Sequence, residues 1–146
     1  FWWEEVGLYR TDVATPHRQH SYQTGWCGGV IAEYALLRST FGEPTRTRSK
    51  RHLNEVFTKG IAPSGLFYGR FDEAGWQPDG HRPQDRGTWR RHLTLVRRQG
   101  DALLYGLKAL DALEARGEEI PRAWLGALRT AADALVAIWR RHGQFG

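Results

Sequence analysis

SGLFYGRFDEAGWQPDG, residues 64–80, decides how the chain is to be read. It sets four aromatic residues, three acidic residues and four glycines between segments of helical character. Glycine at this density punctuates structure, and Asp79-Gly80 is a turn signal by itself. Read as a connection, the stretch leaves a chain made of helices alone. Its acidic and aromatic residues give it a second sense, as the wall of a binding site.

The segments on either side set the expected fold. Upstream, GWCGGVIAEYALLRSTFG (25–42) is apolar almost all round, with Glu33 its only charge before Arg38. A helix apolar on every side is expected to be covered on every side. Gly42 and Pro44 supply its stop. RSKRHLNEVFTKG (48–60) reads as a short helix whose apolar stripe is Leu53, Val56 and Phe57. Downstream, RQGDALLYGLKALDALEARG (98–117) carries only Lys108 and Asp111 as charges between Ala102 and Leu113, so it too reads as buried all round. Pro121 opens a fourth helix with a single stripe of Trp124, Leu125, Leu128, Ala132, Leu135, Val136 and Trp139. Residues 1–22 have no helical period, although FWWEEVGLYR could form a short strand.

The order is buried helix, surface helix, long loop over 61–96, buried helix, surface helix. Gly65-Leu66-Phe67 after the first pair is echoed by Gly143-Gln144-Phe145 after the second, which reads as an internal repeat. The expected fold is therefore all-α, with one domain over residues 1–146. It contains helical hairpins at about 23–60 and 98–142, with inner and outer helices alternating. A plain four-helix bundle would ask all four helices for similar one-sided stripes. Two hairpins do not close a ring, and six would need on the order of 450 residues. The chain is expected to be part of an (α/α) toroid, completed by more of the same protein or by a second chain, or else a smaller layered unit. The start at FWWEEV, without Met, fits a mature, excised or partial chain, so its compartment is not read from its ends.

Composition removes several functions. The formal net charge of +5 comes from 18 Arg against three Lys, and they are scattered. Nucleic acid is not expected, because its binders cluster their charge. The densest run, RTRSKR at 46–51, reads as the solvated start of a helix. A single cysteine, Cys27, excludes an intrachain disulfide and a cysteine-rich zinc site, and no cofactor or metal is expected. No apolar run reaches the roughly 18 residues of a membrane helix. Seven Trp can fill gaps between large elements or stack on sugar faces.

With GLFYG (65–69), the Trp- and Asp-rich loop after it, and RRQGDALLYGLKAL (97–110), the chain resembles six-hairpin (α/α)6 glycosidase-like proteins over about residues 22–146, or two of six hairpins. The resemblance implies a carbohydrate-active, hydrolase-type protein that binds an oligosaccharide at the loops entering its inner helices. A polysaccharide lyase with a Tyr or His base is the enzymatic rival, and a non-catalytic module that binds a glycan or a protein is the other. GWCGG (25–29) also resembles the Trp-Cys-x-Gly element of lanthionine cyclases, but the second cysteine of their zinc site is missing.

Glycoside hydrolysis needs two carboxyl groups on either side of the scissile bond, one protonated and one ionised. Asp72, Glu73 and Asp101 are the catalytic candidates, with Asp85 a further acid in the loop. Tyr68, Trp76, Asp79, His81, Trp89, Arg97, Arg98 and Trp26 are the substrate-binding candidates. Each acid also has an ordinary structural reading, Asp in a Gly/Pro loop as a turn residue and Asp101 as a first-turn helix charge. If the two hairpins are equivalent, His20, Tyr22, Gln23, Thr24 and Trp26 open on the same face as Arg97–Asp101. Trp139 reads as core, and Trp76 as a loop residue whose loss would weaken glycan binding with little effect on stability.

Overall fold

A computed structural model describes residues 2–10, 22–25, 29–78 and 96–144. His20, Trp26, Cys27, Asp79, His81, Asp85, Trp89 and Phe145 lie outside the described residues. The expectation of an all-α fold is overturned, because among the described residues four helices are accompanied by two small antiparallel sheets.

The chain starts as a hairpin of β1 (Trp2–Trp3) and β2 (Leu8–Tyr9), paired Trp2 to Tyr9 and Trp3 to Leu8. Leu8 is the inward residue and is fully buried. A second sheet has the order β3-β4-β5, from β3 (Tyr22–Gln23), β4 (Arg70–Asp72) and β5 (Gly75–Gln77). The stretch read as a connection is thus a β-hairpin over RFDEAGWQ, with Phe71 opposite Trp76 on one strand pair and opposite Tyr22 on the other. Aromatic residues facing one another across strands hold such short strands together. Phe71 and Trp76 meet edge to face at 5.2 Å, and Tyr22 and Trp76 at 5.7 Å.

Four helices complete the fold: α1 (Val30–Arg38), α2 (Glu43–Lys59), α3 (Val96–Glu114) and α4 (Arg122–His142). Pro44 begins α2 instead of ending α1, since proline fits a first helical turn where no intrahelical N–H is required. This carries RTRSKR into the helix interior, where Ser49 is buried on its inner side. Helix α1 packs on α3 and on α2, α2 on α4, and α4 back on α3. The core holds Val30, Leu37, Leu53, Val56, Phe57, Phe67, Leu110, Leu113, Trp124 and Leu128.

Alternating inner and outer helices are also overturned. Helix α3 buries Ala102, Gly106, Ala109, Leu110 and Leu113 but leaves Leu104 and Leu107 at 49% and 48% exposure. Its apolar arc is wider than its neighbours cover. Helix α4 shows the same surplus. Trp124, Ala127, Leu128 and Ala131 face the core, whereas Leu125 and Val136 are exposed and Trp139 stands 51% exposed.

Gly65-Leu66-Phe67 has a local explanation. Phe67 is 1% exposed, and the buried Gln99 of α3 grips its backbone twice. The Phe67 N–H donates to Gln99 Oε1 at 2.8 Å, and Gln99 Nε2 donates to the Phe67 carbonyl at 2.9 Å. One side-chain amide thereby takes the place of a neighbouring strand.

Candidate functional site

The residues singled out in the sequence fall into two groups. In the first, Asp72 closes the β4–β5 turn by accepting the Ala74 N–H at 2.9 Å, and its other oxygen lies 3.1 Å from Arg70. An Asp that bonds the backbone two residues on is the ordinary turn device. Glu73 is exposed at the tip of that turn. Trp76 stacks on Tyr68, with centroids 6.2 Å apart and planes 24° from parallel, and both are half-buried. In the second group, Arg97 and Asp101 form a 3.5 Å pair one turn apart on α3. Arg98 donates to Gln23 Oε1 at 3.0 Å. Gly25 lies so close to Arg98 that a Cβ there would collide with the Arg98 carbonyl oxygen, and its φ of +62° suits glycine. The structure thus brings residues 23–25 to the start of α3, for a packing reason that needs no repeat.

A third cluster was not read from the sequence. Glu33 of α1 and His52 of α2 are both fully buried, with Glu33 Oε1 3.1 Å from His52 Nδ1. The Tyr9 backbone N–H donates to the same Nδ1 at 3.1 Å. That nitrogen is therefore an acceptor, and the tautomer is assigned from this partner. The one lone pair of Nδ1 is engaged there, and Glu33, whose oxygens hydrogen-bond to nothing among the described residues, sits against it most favourably as a neutral, protonated carboxyl. The electrostatics agree. Burial raises the Glu33 carboxyl to about 8 against a smaller opposing effect of the Ser49 hydroxyl, and burial lowers His52 to about 3. Tyr22, whose ring meets His52 edge to face at 5.0 Å, is also raised by burial. A Ser, a His and a Glu in one place invite comparison with nucleophilic sites. Ser49, His52 and Glu33 are all sealed from solvent, however, so no substrate reaches them as they stand. The signal in the sequence was Glu33 alone in an apolar helix, with His52 beside Leu53 in the stripe of the next.

Among the described residues, an exposed apolar feature lies between α3 and α4. An open groove of about 700 Å³ has Leu103, Leu107, Leu125, Leu128 and Ala132 as its apolar walls. Gly126 forms part of its lining, and a Cβ there would meet nothing within 4 Å. Gly106 of α3 is the opposite case. A Cβ there would come within 2.9 Å of Leu128 Cδ2 and 3.1 Å of Phe57 Cζ, so glycine permits close helix packing. Arg122 and Arg129 are the charged residues of the lining. Among the described residues, no group of His, Cys, Asp or Glu could hold a metal ion, and no helix is long and apolar enough to cross a membrane. No family model, curated protein or solved structure matches the chain.

Proposed function

We propose that the chain is a non-catalytic interaction module that holds a helical segment of another protein in the groove between α3 and α4. The observation that carries this reading is the groove itself, with Leu107 and Leu125 about half exposed at its edges. Water-exposed leucines on two adjacent helices are what an amphipathic helix covers with its own apolar face. Hydrolysis, by comparison, asks for two opposed carboxyl groups. Asp72 is engaged by a turn and by Arg70, and Asp101 by Arg97.

The test uses a fluorescently labelled, leucine-striped peptide of about five helical turns. Binding is expected to saturate and to weaken at least about tenfold in Gly126→Leu, which fills the groove without touching the core. Unchanged binding in both Gly126→Leu and Leu107→Lys would remove the groove from consideration. A glycan-binding role is the second reading, favoured by the half-buried Tyr68–Trp76 stack. It requires that Tyr68→Ala abolish a signal on a glycan array, and an array with no signal ends it.

A further inference from the structure

We infer that the helix held in the α3–α4 groove is acidic, with two carboxylates about two turns apart that face Arg122 and Arg129. The inference rests on the docking reading above and adds the chemistry of the partner.

Four observations carry it. Arg122 and Arg129 both line the groove and both are exposed, and no carboxylate lines it with them. Neither arginine forms an ion pair with a described residue, although Asp133 stands one turn beyond Arg129 on the same helix. They are seven positions apart on one helix, so they sit on one face about 10 Å apart. The N-terminus of α4 adds positive potential beside Arg122, because Pro121 offers no capping side chain and the first turn holds no acid. Of the two acids just upstream, Glu118 is held by Lys50 at 2.5 Å and Glu119 stands outside the lining.

The charge pattern separates the candidate occupants. A second copy of this chain would bring its own α4 face, on which Arg122, Arg129, Arg140 and Arg141 outnumber Asp133, against the same arginines. A fatty acid has an apolar tail for the leucines but one carboxylate for two separated cations. A helix with acids two turns apart supplies both charges and the apolar stripe between them. Complementary charge of this kind fixes register and partner choice more than it adds affinity.

The experiment compares three versions of the leucine-striped peptide, carrying Glu, Gln or Lys at two positions two turns apart beside the stripe. Fluorescence anisotropy is read on the parent chain and on the Arg122→Glu/Arg129→Glu double variant. The Glu peptide is expected to bind the parent about tenfold more tightly than the Gln peptide, with the Lys peptide weakest and the advantage shrinking as salt is raised. The double variant is expected to reverse that order, and binding of the Lys peptide shows that it is folded. Equal binding by all three peptides would overturn the acidic partner and leave the docking reading standing. Binding by none would remove both. Sedimentation showing a dimer that Leu107→Lys dissolves would give the groove to a second copy. Displacement of the Glu peptide by a long-chain fatty acid, with affinity lost in Arg129→Gln, would give it to a lipid. Either result overturns the proposal.

Discussion

Between α1 and α2 the fold encloses a glutamic acid and a histidine with no exposure at all, while between α3 and α4 it leaves leucines half in water. Neither choice is the one that simple burial of apolar area would make. The enclosed pair is tolerated because it is neutral. With the proton on Glu33, no net charge is taken out of water, and the large desolvation penalty of a buried ion does not arise. The open leucines give the fold only part of what they could, since about half of Leu107 and of Leu125 stays in water. One region is closed to solvent, and the other leaves apolar surface open to it.

The largest effect expected from breaking this contrast is at the enclosed pair. His52→Ala should cost about 3–4 kcal/mol, because it opens a cavity in the core and leaves the Tyr9 N–H without its acceptor. Chemical denaturation measures this directly. A loss under about 1 kcal/mol would mean that the pair is not enclosed.

Next is a comparison of two tryptophans. Trp76→Ala should cost about 2–3 kcal/mol, since Trp76 touches Tyr22, Tyr68 and Phe71. Trp139→Ala should cost less, about 1–2 kcal/mol, because half of that side chain is already in water. This reverses the order expected from the sequence. Thermal melts in which Trp139→Ala is the worse variant would restore it.

The third effect is a pH profile. Between its ordinary 4.5 and about 8, Glu33 keeps a proton in the fold that the unfolded chain has lost, so its part of the stability falls as pH rises. Between about 3 and its ordinary 6.5, His52 lacks a proton that the unfolded chain holds, so its part rises with pH. The two slopes cancel between 4.5 and 6.5. Stability should therefore climb up to pH 4.5, stay level to 6.5, and fall by about 2 kcal/mol on the way to pH 8. Glu33→Gln should abolish the fall above 6.5. A fall that persists in that variant would assign it to other groups.

The smallest effect belongs to the open side. Gly126→Leu should raise stability by about 0.5–1 kcal/mol, because an exposed helical glycine gives way to a good helix former with empty space around it. A lowered melting temperature would show that the groove is tighter than it stands here.

How far the sequence could be read follows from what is local. The stripe Leu53, Val56 and Phe57 and the start of α4 at Pro121 are set by neighbours a few positions away, and they lie where the sequence puts them. The β4–β5 hairpin was missed because its strands are three residues long, too short to show alternation. Its third strand, at Tyr22, comes from a distant part of the chain, where no local pattern announces a partner. The full width of the apolar arcs on α3 and α4 was legible. Which part of each arc faces the core was not, since hydrophobicity alone does not tell a core contact from a docking surface. For the candidate site, Leu125 belongs to the stripe read on the fourth helix, and Arg122 and Arg129 are charges of the same segment. Their meeting around one groove depends on how α3 lies against α4.

The double hydrogen bond from Gln99 to Phe67 bears on that groove in a mechanical way. Gln99 projects from α3 and holds the segment before β4 by both its donor and its acceptor. A roll of α3 about its axis beyond what the three side-chain torsions of Gln99 absorb would strain both bonds together. The wall bearing Leu103 and Leu107 is thus keyed in rotation against the rest of the molecule. An incoming helix would meet a surface already set, and the ordering entropy of association would fall on that helix alone.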